Sequence, residues 1–314
     1  MVHKTESKQE LAARGGRAAA AEPDSADGAL RWSVERRLAF IEERLFWLGS
    51  INRTDLVRRF GVSMSQASAD IARYLALGPP GLDYDKSGKR YVADENSFRL
   101  VLGKPDAGRL LGELRLVDLG ILTESETLTG EAPPFDVTPV PARSIDAFVL
   151  RAVVHAIRER RVLSAAYQSM NRPEPTRRTL EPHALAHDGF RWHTRAFDAE
   201  TGSFRDFVLG RLAKPKLMGP AGSTPDEDRD WSTVVDLRIA PHPGLTEAQA
   251  RAVALDYGMR GGAGIVRVRR ALLFYALRRL GLDVAPDARP AHEQHVVLTN
   301  RAEVESALAR RGEP

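Results

Sequence analysis

At 314 residues the chain has room for two or three modules, and 43% hydrophobic with 28% charged side chains fits a water-soluble globular protein. The formal net charge of +4 permits a nucleic-acid partner without demanding one. The absence of cysteine excludes disulfide frameworks, thiol nucleophiles and cysteine-ligated zinc or iron–sulfur centres, and with no bilayer-length apolar run and no signal-peptide core a cytoplasmic protein without a membrane partner is expected.

Residues 1–29 are polar, charged and rich in alanine and glycine, and read as a disordered tail. A compact module follows over 30–95. Ser33 caps a predicted helix through Leu48, with Leu38, Ile41, Leu45 and Leu48 on its apolar side. Asn52 and Asp55 form a capping box opening a short helix to Phe60, Gly61-Val62 gives a tight turn, and Ser63 with Gln66 forms a second box opening a helix to Leu75. This spacing is that of a helix-turn-helix. Ala67, Ile71 and either Tyr74 or Leu75 repeat at helical spacing and face inward, leaving Ser65, Gln66, Ser68, Ala69 and Arg73 toward the open side, where a recognition helix meets the major groove.

Gln66 has the chemistry to read adenine, and Arg73 to hold a phosphate. Strand-like pieces at Leu82–Tyr84 and Arg90–Val92 then flank a Ser87-Gly88 turn, a wing whose Lys86, Lys89 and Arg90 can meet phosphate. The bland alternative is a three-helix domain with a charged hairpin. Residues 31–92 hold eleven Lys/Arg against seven Asp/Glu, a net +4 that equals the charge of the whole chain and so favours DNA.

Residues 96–160 read as connector and linker. A helix is expected over 105–120, an acidic, Pro-rich surface segment over Glu124–Val140, and a second helix from Ser144 to Arg161 with Phe148, Ala152, Ala156 and Ile157 on its apolar face.

Residues 161–220 change period. Short strands are expected at Leu163–Gln168, Arg177–His183, Arg191–Phe197 and Phe204–Leu212, consistent with a small curved sheet or barrel. Alternation places Trp192, Thr194 and Ala196 on one face and Arg191, His193, Arg195 and Phe197 on the other. Arg205, Phe207, Leu209 and Arg211 share a face of the next strand, so one register clusters His193, Arg195, Arg205 and Arg211 into a site for a phosphate, nucleotide or nucleic acid. The alternative is that these arginines solubilise an exposed sheet. Trp192 is expected to be a structural anchor in the core.

Residues 229–314 alternate strands (Trp231–Ile239, Gly264–Val268, Gln294–Leu298) with helices (Thr246–Asp256, Arg270–Leu280, Arg301–Arg310), an α/β unit.

The words Pro182-His183-Ala184-Leu185, Asp188-Gly189-Phe190-Arg191-Trp192-His193-Thr194-Arg195-Ala196 and Phe204-Arg205-Asp206-Phe207-Val208-Leu209-Gly210-Arg211 resemble the WYL domain. The family's Trp-Tyr-Leu triplet reads Trp192-His193-Thr194 here, and its later Asp-Arg-Ile-like element reads Gly210-Arg211-Leu212. The resemblance extends from about Ala29 to the C-terminus and is closest to the branch of WYL transcription regulators that sit beside bacterial phage-defence systems. It implies an α+β multidomain chain: a winged helix-turn-helix, a small Sm/SH3-like β-barrel and a C-terminal α/β dimerisation domain. It also implies that His193 and Arg211 face a ligand, with Tyr167 and Ser169 lining the same pocket. The His193 departure leaves the identity of the ligand open.

Enzyme signatures are absent. There is no His-Glu-x-x-His helix, Gly258–Gly264 lacks a P-loop lysine, Asp226–Asp230 lacks calcium-loop spacing, and no Ser–His–Asp arrangement stands out. No metal, cofactor or catalytic role is expected. The reading is a homodimeric, ligand-responsive repressor that binds double-stranded DNA at an inverted repeat and controls its own or an adjacent phage-defence operon. Three alternatives stand beside it: a transcriptional activator, a constitutive DNA-binding architectural protein, and a nucleotide- or RNA-handling protein whose winged domain contacts only protein.

Overall fold

The computed structural model describes residues 25–141 and 143–311. The chain divides into two compact units, one ending at Val140 and one beginning at Pro141. The expected disordered tail lies outside the described residues up to residue 24. From Ser25 the chain is already helical, so α1 runs Ser25–Leu48 and Ser33 lies within it instead of capping it.

The first unit continues with β1 (Ser50–Ile51), α2 (Arg53–Phe60), α3 (Met64–Leu75), β2 (Leu82–Asp85) and β3 (Arg90–Ala93). The strands form an antiparallel sheet in the order β1-β3-β2. The Asn52/Asp55 capping box forms as expected. Gly61 then takes φ +65, the left-handed conformation that ends α2 and sets the tight turn into α3. The second box is only half formed. Ser63 Oγ accepts from the Gln66 N–H at 3.1 Å, but the Gln66 side chain runs forward to Asp70. Leu38, Ile41, Leu45, Leu56, Ala67, Ile71 and Tyr74 close one apolar core between the three helices, each large side chain contributing roughly 1.5–3 kcal/mol by leaving water. Buried Glu42 accepts from Tyr74 Oη and from the N–H groups of Val101, Leu102 and Gly103, fastening the segment after the wing to α1. Burial, followed by the neighbouring Glu42 charge, pushes the Tyr74 phenol well above its ordinary value.

The connector helix α4 is Ala107–Asp118, capped by Asp106. The expected loose segment after it is in part packed: a 3-10 turn spans Glu124–Glu126, and Thr127, Leu128 and Thr129 are buried. Arg44 from α1 donates to the Thr129 carbonyl at 2.6 Å and to Glu131 at 2.7 Å. Arg59 from α2 donates to the Glu126 carbonyl at 2.8 Å, and Glu113 from α4 accepts from the Leu128 N–H at 2.5 Å. Backbone groups satisfied by side chains explain why an acidic segment can sit indoors.

The second unit opens with α5 (Ala147–Glu159) and continues with β4 (Arg161–Tyr167), β5 (Thr176–His187), β6 (Trp192–Asp198), β7 (Ser203–Val208) and β8 (Leu212–Pro220), in antiparallel order β7-β6-β5-β4-β8. Every strand contributes to one core: Leu163, Ala165, Tyr167, Leu180, Ala196, Phe207 and Leu212, covered by Val149, Val153 and Ala156 of α5. Register shifts of β4 against β8 and of β5 against β6 mark bulges, which bend a strand and increase its twist. Of the expected α5 face, Ala156 is buried and Ala152 and Ile157 pack against the core, but Phe148 is 74% exposed and Val149 takes its place.

After β8 come a one-turn helix, α6 (Arg229–Ser232), β9 (Val234–Pro241), α7 (Glu247–Asp256), β10 (Gly264–Arg269), α8 (Leu273–Leu280), β11 (Val296–Leu298) and α9 (Arg301–Ala309). The strand expected from Trp231 begins three residues later, because Asp228 caps α6. The sheet is antiparallel, ordered β10-β9-β11, with Val253, Leu273, Leu277, Val304 and Ala307 from the helices buried against it. No helix among the described residues is long and apolar enough to cross a membrane, and none of their His, Asp and Glu groups are placed to hold a metal.

Candidate functional site

The first candidate surface is the outer side of α3 and the wing. Ser65, Ala69 and Arg73 are exposed, while Gln66 and Ser68 are half-buried. The Ser68 hydroxyl donates to the Met64 carbonyl at 2.9 Å and accepts from Arg53 at 3.5 Å. Arg53, the first residue of α2, is exposed and was not among the residues singled out from sequence; a cation just after a capped helix start was the available signal. Lys86, Lys89 and Arg90 are exposed on the hairpin. Its turn is held by Asp85, which accepts from the N–H groups of Ser87 and Gly88. The Gly88 hydrogen bond foremost, with those from Arg90 and Ser87, holds the Asp85 carboxyl below its usual range. Lys89 takes φ +49 there.

The second unit carries the expected ligand cluster, and strand register divides it: Arg195 and Arg205 line one cavity and Arg211 another. β6 pairs with β7 so that Arg195 faces Asp206 and Ala196 faces Arg205. Arg205 therefore lies on the face opposite His193 and Arg195, since a shift of one residue inverts a strand's faces. Arg195 is 2% exposed, and its charge is met by acids instead of being offered to a ligand. It donates to Asp228 at 2.7 and 2.9 Å and to Asp206 at 3.1 Å, and it lies 3.5 Å from Asp230. Asp206 also accepts from Arg311 at 2.8 Å and Tyr275 at 3.3 Å, Asp230 from Arg270 at 2.5 Å, and Asp228 from His183 at 2.9 Å. The acids at 226–230, which lack any calcium-loop spacing, thus supply part of the counter-charge of Arg195. Burial would lift the Asp228 carboxyl, but His183 and Arg195 hold it far below the ordinary range. Burial works against the Arg195 cation, yet Asp228 and Asp206 raise its pKa.

His193, at the position of the family's tyrosine, is also buried. Its Nε2 donates to Asp188 at 3.0 Å, its ring lies 5.3 Å from Tyr275, and its Nδ1 has no hydrogen-bond partner. Burial opposes ionisation of Asp188, but His193, then the Phe190 and Arg191 N–H groups, lower its pKa strongly. Tyr167 is turned into the core of the sheet, edge-on to Phe207 at 5.0 Å, its hydroxyl accepting from the Val208 N–H. Ser169 serves its own loop, accepting from the Asn171 N–H.

Two cavities of this unit bear on the cluster, beside a third of about 540 Å³ between Arg195, Thr201 and Asp228. One of the two, of about 620 Å³, is lined by Arg195, Arg205, Asp206, Asp230, Tyr275 and Arg311, three arginines against two aspartates. The other, of about 290 Å³, brings together Arg143, Arg191, Trp192 and Arg211 with Ser144 and Gly210. Gly210 is required there, because a Cβ would come within 2.8 Å of the Ser144 carbonyl oxygen; this close approach brings the Arg211 turn beside Arg143. Trp192 is 48% exposed, its ring 4.8 Å from that of His187. It lines the 290 Å³ cavity and is no core anchor: alternation assigns a face, not a depth. Arg191 is paired with Asp188 at 3.1 Å, whereas neither Arg143 nor Arg211 has an acid partner among the described residues. Arg143 carried no sequence signal, lying in an irregular stretch before α5. Two unneutralised guanidinium groups beside an open indole can hold an anion bearing a flat ring.

Comparison with known proteins agrees with this layout. The chain matches the family model of the BrxR transcriptional regulator winged helix-turn-helix domain over residues 33–116, the WYL domain over 149–217, and the BrxR transcriptional regulator C-terminal dimerization domain over 234–304. It is 40% identical over 281 residues to the DNA-binding transcriptional repressor CapW of Stenotrophomonas maltophilia, covering 89% of this chain and 94% of that one. It is 40% identical over 279 residues to CapW of Pseudomonas aeruginosa, covering 88% and 93%. With CapW of Escherichia coli strain KTE188 it shares 36% over 278 residues, covering 88% and 93%.

Proposed function

Since the chain belongs to the BrxR and CapW family of WYL-domain transcriptional regulators, we propose that it is a homodimeric repressor whose operator affinity falls when an anionic ligand enters the Arg211 cavity. The operator is an inverted repeat beside its own gene, and the controlled genes are its own or an adjacent phage-defence operon. Two copies joined through their C-terminal domains place two α3 helices on symmetric half-sites. The ligand is a nucleotide or a short nucleic acid.

The observation that carries this reading is the contrast between two sets of arginines on one barrel. Arg195 is neutralised by three aspartates, while Arg143 and Arg211 are left without acids beside a half-exposed tryptophan. A buried cation matched to acids is structural, whereas unmatched cations at an open cavity favour an incoming anion. β6 offers a route for the signal: Trp192 faces the cavity, and His193 and Arg195 on the same strand face Tyr275, Asp228 and Asp230. A ligand acts through this strand only if it prefers one of two arrangements of it.

The test is a shift assay at fixed salt on the DNA upstream of its own gene, adding nucleotides or short single-stranded DNA to the preformed complex. The parent is expected to release DNA with at least one of these probes, and Arg211→Glu to bind DNA equally well but resist release. Equal release by parent and variant would remove the cavity from the account.

A further inference from the structure

Gln66 is the third residue of α3, the part of a recognition helix that reaches base edges. Its Nε2 donates to Asp70 Oδ1 at 3.0 Å. Asp70 is fully buried and is gripped in turn by Arg37 of α1, Nε to Oδ2 at 2.6 Å and Nη2 to Oδ1 at 3.3 Å. A carboxylate only accepts, so it fixes which end of the Gln66 amide turns inward. We infer that Asp70, held by Arg37, is a positioning residue that orients the Gln66 amide for base readout and so sets operator specificity.

The inference rests on the reading of α3 as the recognition helix and adds the device that aims it. A free glutamine side chain has several rotamers and two amide orientations, and loses that freedom on binding. Here the loss is incurred on folding. With one N–H committed to Asp70, the amide keeps a second N–H and Oε1, which lie along one edge when the committed hydrogen is the one trans to the carbonyl oxygen. That edge is the donor–acceptor pair that matches adenine N7 and N6. The half-formed capping box fits this role: the Gln66 side chain that would close it is drawn forward along the helix instead. Asp70 is also well suited to the task because it is itself immobile. A buried carboxylate held by a guanidinium gives a fixed, charge-assisted acceptor, which an exposed acid does not.

The experiment determines base preferences of the full-length protein on a randomised duplex DNA library at one salt concentration. It compares the parent with Gln66→Ala and with the double variant Arg37→Met/Asp70→Leu, which removes the ion pair without stranding a charge. The parent is expected to prefer adenine at one position of each half-site, and Gln66→Ala to lose that preference by about tenfold, the scale of a bidentate base contact. The double variant is expected to lose most of the same preference while its affinity for non-specific duplex changes by less than about threefold. Should the double variant not fold, Asp70→Asn serves: its amide can present oxygen or nitrogen to Gln66, so the adenine preference falls in the same direction by a smaller factor. A positioning variant that keeps the parent's preference at the Gln66-dependent position overturns the inference and leaves α3 as the reader. A Gln66-dependent position that prefers guanine or cytosine also overturns it. If Gln66→Ala relaxes no position, the assignment of Gln66 as a base reader is what fails, and the inference falls with it.

Discussion

Arg195 and Asp228 meet across two hydrogen bonds, 2.7 and 2.9 Å long, with both side chains 2% exposed. One comes from the middle of a barrel strand and the other from the cap of the one-turn helix that leads into the C-terminal sheet. Arg195→Met leaves Asp228 with only His183 and the Trp231 N–H, and is expected to lower stability by about 3–5 kcal/mol, the usual cost of breaking a buried pair from one side. The measurement is the denaturant midpoint. Arg195→Met combined with Asp228→Leu should recover part of the loss; an unchanged midpoint in the single variant rules out a stabilising joint.

The low pKa of Asp188 gives a pH dependence of definite sign. A carboxyl depressed in the folded state stabilises above its unfolded value, near 4, and loses that contribution as pH falls through the folded value. Melting temperature should therefore be nearly flat from neutrality to about pH 5 and decline below it. Asp188→Asn should be less stable than the parent at neutral pH and show a shallower acid decline. An equally steep decline would assign the acid sensitivity to other groups.

Arg73 and the wing lysines are expected to contact phosphate and not bases. Arg73→Ala should weaken binding to all duplexes alike and reduce the slope of log affinity against log salt by about 1. Shift assays at four or five salt concentrations read this directly. A sequence-dependent loss with an unchanged slope would instead make Arg73 a base reader.

Trp192→Ala is expected to cost less than about 1 kcal/mol of stability, because its ring is half exposed, whereas Leu180→Ala in the barrel core should cost roughly 2–5 kcal/mol. The same Trp192 variant should weaken the ligand response that Arg211→Glu abolishes. Chemical denaturation and the release assay give the two readouts. A large stability loss would return Trp192 to the role of anchor.

Much of the reader was legible because its signals are local. Asn52 and Ser63 caps, the Gly61 turn and the spacing of Ala67, Ile71 and Tyr74 each act within a few residues, and the two hairpin strands follow from the turn between them. The barrel was legible as strands but not as a site. Period two says that Arg195 and Trp192 lie on opposite faces, yet only the pairing partner decides whether Asp206 or Arg205 stands beside Arg195. The principal partner of Arg195 lies 33 residues away, beyond any spacing argument. On α5, Phe148 and Val149 sit on adjacent stripes that fit the helical period equally well; the stripe that faces the sheet is Val149, Val153 and Ala156, which leaves the bulkier ring outside.

The packed segment Thr123–Glu131 has a consequence for anyone recombining these regulators. Arg44 and Arg59 of the reader and Glu113 of the connector helix all bind that segment's backbone, so the heritable unit of DNA recognition does not stop where the wing does. A chimera joined at Ala93 would carry a reader stripped of its own strap, with Arg44 deprived of both the Thr129 carbonyl and Glu131. One joined beyond Glu131, in the proline-rich stretch that follows, transfers the reader with every one of these contacts intact.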